Sequence, residues 1–310
     1  MRDPSMGEMQ WRAGGLGTAL VALLLVVGPA PASAGSCDRT TELMARSCAR
    51  DAEADQFVAL GNCANIGDTG GATRCVERAG RDFRAAQAEC GAQGDVRAKV
   101  CGALGQGPYD PPIDPSNFVK EVTNRYFPLK PGTVFTYRGK DSVTKVRVTG
   151  RTRKILGVPC TVVRDTVFVD GGVEEDTYDY FAQDRQGNVW YFGEDTAEYV
   201  DGLVASVEGS FIAGREGAKP GLIMAANPAP GTTYRQEFAL DEAEDVGRYE
   251  SRGGRLTLRS GTYKDVVKTF DYNPLEPEAK ENKYYAPNVG LVATVNLATG
   301  EREELVSVEP

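Results

Sequence analysis

A chain of 310 residues with 44 acidic and 35 basic side chains, a formal charge of −9 and a pI near 4.9 is poorly suited to the phosphate backbone of nucleic acid. It contains no histidine, which removes Ser-His-Asp and Cys-His catalysis, histidine acid-base chemistry and the commonest zinc and copper ligand. No G-x-S-x-G elbow, P-loop or strand-linked G-x-G-x-x-G is present, so an enzyme of this composition would run on carboxylates, Lys, Tyr or a thiol.

Residues 1–34 read as a secretory signal. Arg2 and Arg12 precede an apolar run over 16–27, and Ala32-Ser33-Ala34 is a small-x-small cleavage site. The expected product is exported, periplasmic or extracellular. A lipoprotein modified at Cys37 is the competing reading, but Ala34-Gly35-Ser36-Cys37 lacks the leucine of that consensus. No later segment approaches the ~20 apolar residues of a spanning helix.

Cys37, Cys48, Cys63, Cys75, Cys90 and Cys101 follow one another at spacings of 11, 15, 12, 15 and 11, the same in both directions. Of the fifteen formal connectivities, the nested set Cys37–Cys101, Cys48–Cys90 and Cys63–Cys75 suits an antiparallel hairpin of equal-rise elements. Cys75, Val76, Ala79, Phe83, Ala86 and Cys90 recur at helical steps, as do Leu43, Met44, Ser47, Cys48 and Ala52 on the earlier arm, with the turn over 67–71. The reading is a disulfide-stapled helical hairpin over 35–103. Without C-x-x-C pairs or histidines, these cysteines are staples rather than metal ligands.

Gly105, Gly107, Pro108, Pro111, Pro112 and Pro115 make residues 104–117 a linker. Residues 118–310 then alternate as antiparallel strands. Runs over 133–138, 145–149, 158–169, 177–182 and 188–192, and later over 232–240, 255–259, 263–272, 283–285, 291–296 and 304–308, are separated by turn signals such as Asp170-Gly171-Gly172, Asp201-Gly202 and Thr299-Gly300. The fold class is mainly β, a large antiparallel curled sheet or sandwich. Arg147, Arg151, Arg153 and Lys154 around Gly150 read as a solvated turn.

Carboxylates cluster at Glu174, Glu175 and Asp176, at Glu194, Asp195 and Glu198, and at Asp241, Glu242, Glu244 and Asp245. A suitably spaced pair would serve a glycosidase, and oxygen ligands from adjacent loops would serve calcium, although no D-x-D-x-D-G loop is present. Beside predicted turns, such runs are expected to be solvated. Cys160, in an apolar run, reads as a free and buried thiol, with pairing to another chain as the alternative. Trp190, Tyr191 and Phe192 place rings on both faces of one strand, with Tyr178, Tyr180 and Phe181 across the turn. One ring face is core; the other is a second packed layer or a ligand-cavity wall, which makes Trp190, Tyr191, Phe192, Tyr178 and Tyr180 the candidate ligand-binding residues.

Four stretches carry a resemblance: Asn124-Arg125-Tyr126-Phe127-Pro128-Leu129-Lys130-Pro131-Gly132-Thr133, Gly157-Val158-Pro159-Cys160-Thr161-Val162-Val163, Gln186-Gly187-Asn188-Val189-Trp190-Tyr191-Phe192-Gly193-Glu194 and Tyr284-Tyr285-Ala286-Pro287-Asn288-Val289-Gly290-Leu291-Val292. In these the β portion resembles a family of exported bacterial proteins. Through its strand pattern it is distantly similar to lipoprotein-carrier-like curled sheets that hold apolar ligands. The resemblance implies a concave sheet and supplies no functional residue. The expected role is non-enzymatic, binding an apolar small molecule or an envelope protein partner. A carboxylate-based extracellular hydrolase and a structural or adhesive module are the alternatives.

Overall fold

The computed structural model describes residues 35–310; the signal segment expected over 1–34 lies outside the described residues. Helices α1 (Ser36–Ala64) and α2 (Thr69–Leu104) form an antiparallel hairpin. Asp68 caps α2, its side chain accepting from Gly71 N at 2.6 Å, which satisfies one of the orphan donors of the first turn. Gly70 and Gly71 therefore open the second helix, and the turn is shorter than the one read from sequence. The disulfides are nested: Cys37–Cys101, Cys48–Cys90 and Cys63–Cys75, with Cα separations of 5.6, 5.7 and 5.4 Å. A separation that hardly changes along the hairpin is what two evenly spaced helices produce when every rung is equivalent.

After a 3₁₀ turn at Pro115–Asn117 the chain becomes β. Three short strands, β1 (Phe118–Val119), β2 (Val122–Asn124) and β3 (Phe127–Leu129), lead into a meander of β4 (Val134–Arg138), β5 (Ser142–Ile155), β6 (Val158–Val169), β7 (Gly172–Asp184) and β8 (Val189–Val200). Then come β9 (Leu203–Ser206), β10 (Phe211–Ile212), β11 (Lys219–Met224), β12 (Thr233–Arg235) and β13 (Glu237–Phe238). A second meander, β14 (Val246–Leu258), β15 (Gly261–Tyr272), β16 (Lys280–Ala286), β17 (Gly290–Asn296) and β18 (Arg302–Glu309), ends the chain. Strand β18 pairs with β4, which welds the two meanders into one antiparallel path of 13 strands running from β12 to β13.

The ends of that path nearly meet. Strands β12 and β13 are separated by Gln236 alone, yet β12 pairs with β14 at one edge and β13 with β11 at the other. One short strap, residues 233–238, therefore curls the sheet into a nearly closed barrel, which removes the exposed edges that such a sheet would otherwise present. Inside lies the main core, with Phe135, Val148, Val163, Phe181, Tyr191, Val267, Tyr285 and Leu305 among its buried members. Against the outer face of β5 to β8 lies a smaller core of Ile155, Val158, Cys160, Val162, Tyr180 and Phe192, with Ile113 and Phe118 packed on it.

The basic run around Gly150 is not a turn. Arg147, Arg151, Arg153 and Lys154 all belong to β5, and the pairing with β6 slips between Val148 and Thr152, with Gly150 at φ +73°. Only a glycine adopts that conformation cheaply, so the local turn signal is that of a bulge inside a strand. Arg153 is held there by Tyr180, whose hydroxyl lies 2.6 Å from its Nη1, and by Asp195.

Candidate functional site

The strap and two loops border a half-open cavity of about 250 Å3 inside the barrel. The β2–β3 hairpin closes part of it: Tyr126 is buried beneath the turn, and Phe127, Pro128 and Leu129 form wall. The 287–289 loop packs on that hairpin, with Asn288 N donating to Arg125 O at 2.6 Å, and adds Val289, while Leu291 comes from the start of β17. Rings continue the apolar side. Phe181 stacks on Tyr191 at 4.8 Å and meets Phe127 edge-on at 5.1 Å.

The rest of the wall is charged. On a strand, residues two apart share a face. Asp165 therefore points the same way as core Val163 on β6, Asp179 the same way as core Phe181 on β7, and Lys283 the same way as core Tyr285 on β16. Glu237 from the strap and Asp245 just after it complete the set. Asp179 accepts from the Tyr191 hydroxyl at 2.6 Å. Lys283 Nζ lies 3.3 Å from Asp271 and 3.8 Å from Glu281, and Asp271 also accepts from Gln236 Nε2 at 2.9 Å.

Burial among like charges sets the titration. Loss of water pushes Asp179 and Asp245 up to about 6, despite the Tyr191 hydrogen bond on the first and Lys283 near the second. Burial and then the neighbouring Asp179 push Glu194 up to about 8. Asp165 and Glu237 go well above the carboxylate range, mainly through burial, with nearby carboxylates adding to it. Burial works against the Lys283 ammonium, but Asp271 and Glu281 hold its pKa well above the ordinary lysine value. The interior thus favours neutral acids and one paired cation.

Of the ligand-binding candidates read from sequence, Tyr191 lines the cavity. Trp190, Phe192, Tyr178 and Tyr180 lie on the other face of the same two strands, in or against the outer core, where Tyr180 also holds Arg153. The acidic runs divide in the same way. Glu174 is exposed and Asp176 pairs with Arg164 at 2.7 Å, but the expectation of solvated loops fails for Glu194, Glu244 and Asp245. Glu244 is 1% exposed and forms a two-bond ion pair with Arg97 of α2, at 2.7 and 2.9 Å. It sits where the hairpin docks beside the strap, an environment that composition alone does not reveal.

Cys160 is fully buried on the outer face and free, its thiol pushed up to about 12 by burial; such a thiol is inert as a nucleophile. Among the described residues no three His, Cys, Asp or Glu side chains come together as metal ligands would, and no helix is long and apolar enough to cross a membrane. Neither protein-family models, curated proteins nor solved structures give a match to this chain.

Proposed function

We propose that this is an exported binding protein whose β domain holds a small molecule inside its curled sheet. The cavity carries the reading: its volume, about 250 Å3, approaches the ~300–1,000 Å3 of ordinary small-molecule sites, and aromatic and aliphatic side chains form much of its wall. All four stretches behind the family resemblance contribute to that wall, through Phe127, Val163, Tyr191 and Tyr285 among others. Export is supported by three disulfides, which persist outside the reducing cytosol. Cys37 is engaged with Cys101, which speaks against lipidation at that thiol.

The test is native mass spectrometry of the protein secreted by its own host, followed by denaturation and recovery of whatever was bound. A discrete small molecule recovered intact supports the binding role. A bare chain, still bare after incubation with a host-cell extract, overturns it. A molecule recovered only as cleavage fragments transfers the site to the hydrolase reading.

A further inference from the structure

An apolar ligand would leave half of this wall unexplained. Asp165, Asp179, Glu237 and Asp245 face the cavity together with Lys283, and Lys283 is already matched by Asp271 and Glu281. Among the described residues, no basic side chain lies within ion-pair distance of those four carboxyl groups. Two are also short of hydrogen bonds: Asp165 Oδ1 and Asp245 Oδ1 are sealed from solvent and have no partner. Buried polar atoms are nearly always partnered, because leaving one unpaired forfeits its hydration with no return. Each such oxygen lacks a partner, and the four acids have no cation of their own, since Lys283 is held by Asp271 and Glu281.

The same wall includes the rings of Phe127, Phe181 and Tyr285, and aromatic rings attract organic cations through their quadrupoles. A compact divalent ion would need six or more oxygens converging at ~2.3–2.6 Å, and no such convergence occurs among the described residues. An anionic amphiphile would add negative charge beside acids whose crowding already opposes ionisation, whereas a cation would relieve it. Resting on the binding role above, we infer that the cavity selects a small organic ammonium ion, its charged head among the carboxyl groups of Asp165, Asp179, Glu237 and Asp245 and its apolar remainder against the rings.

The experiment is calorimetric titration of the full-length secreted protein, disulfides intact, with 2-phenylethylammonium, 2-phenylethanol and phenylacetate, which share a ring and differ in the charge of the head. The ammonium should bind at least about tenfold tighter than the alcohol, a difference of about 1.4 kcal/mol, and phenylacetate should give no heat. In an Asp165→Asn/Asp245→Asn variant the preference for ammonium should vanish while alcohol affinity is retained, which also certifies the fold. Should the alcohol bind as tightly as the ammonium, the ammonium inference falls and the binding role stands. Calcium chloride displacing the ammonium would overturn it in favour of a metal site. If none of the three probes binds and the secreted protein carries no molecule, both readings fail.

Discussion

Gln236 sits where the sheet meets itself, and the residues facing it across the seam are glycines. A Cβ built on Gly221 of β11 would fall 2.0 Å from Gln236 O, and one on Gly247 of β14 would fall 2.5 Å from the Tyr234 ring and 2.7 Å from Gln236 Nε2. The first clash is with backbone, which cannot turn aside; the second is longer and falls on the Tyr234 ring and the Gln236 amide, buried side chains that can yield more than backbone. Gly221→Ala should therefore cost about 2 kcal/mol or more, near the upper part of the overpacking range, and Gly247→Ala distinctly less. Denaturant midpoints at constant m-value would measure both, and an equal or reversed order would refute this account of the seam. The same glycine explains a strand absent from the sequence reading. Lys219-Pro220-Gly221 carries two punctuating residues and reads as a break, yet Pro220 stands near the start of β11 and Gly221 is there because the strap passes so close. The buried acids were legible by a different signal. Asp165 and Asp179 share parity with Val163 and Phe181, so an alternation count along each run places them inward. Grouping carboxylates by sequence proximity reached Asp245 but missed Asp165 and Asp179, and drew in Glu174 and Asp241, which are exposed.

At the scale of elements, a buried ion pair joins the helical hairpin to the chain just beyond the strap. The strap consists of β12, with 3 residues, and β13, with 2, too short to hold a seam by their own hydrogen bonds. Arg97 fixes Glu244 just beyond them, with 5% and 1% of those residues exposed, and Gln93 Nε2 donates to Leu275 O at 3.0 Å beyond β15. Arg97→Met alone strands a buried carboxylate and should cost ~3–5 kcal/mol, whereas Arg97→Met with Glu244→Leu should recover most of that loss. A thermal double-mutant cycle reads the coupling. Additive losses would show that the pair does not join hairpin to strap. The disulfides should rank by the loop each closes with the others intact: Cys37–Cys101, which closes the two outer arms of 11 residues each beyond Cys48–Cys90, should cost ~3.5 kcal/mol to remove, and Cys63–Cys75, which spans 12 residues, nearer ~3. Symmetric cysteine spacing and the helical recurrence of Cys75, Val76, Ala79, Phe83, Ala86 and Cys90 together made this hairpin legible, because equal steps on two helices favour one ladder of equal rungs among the fifteen connectivities. Its docking was not legible, since Arg97 and Glu244 lie 147 residues apart and each is ordinary in its local sequence.

The whole molecule keeps its unusual charge inside. Curvature of the sheet was foreseeable from many short antiparallel runs, but the strap that converts curvature into closure carries no local mark, and a cavity exists only after closure. Closure puts Asp179, Glu194 and Asp245 in a place where ionising them is unfavourable, with pKa values of about 6, 8 and 6. Folding therefore takes up protons across the interval between ordinary carboxylate values near 4 and those raised values. Wherever the native state binds more protons than the unfolded chain, stability falls as pH rises. The contribution is intact below about pH 4 and is lost on the way to pH 8; each raised unit is worth about 1.4 kcal/mol. Lys283, held above its usual value, titrates beyond this window and does not reverse the sign. The ligand-free protein should accordingly melt several degrees higher at pH 5 than at pH 8, and Glu194→Gln should raise the melting temperature at pH 8 while changing it little at pH 5. A saturating organic ammonium should flatten the profile by stabilising the ionised cavity at the alkaline end. Calorimetric melts of wild type and variant across pH 5–8, with and without 2-phenylethylammonium, decide the matter: a melting temperature that rises with pH in the ligand-free wild type would mean that the interior carboxylates are partnered in solution and that the barrel does not hold them apart from water.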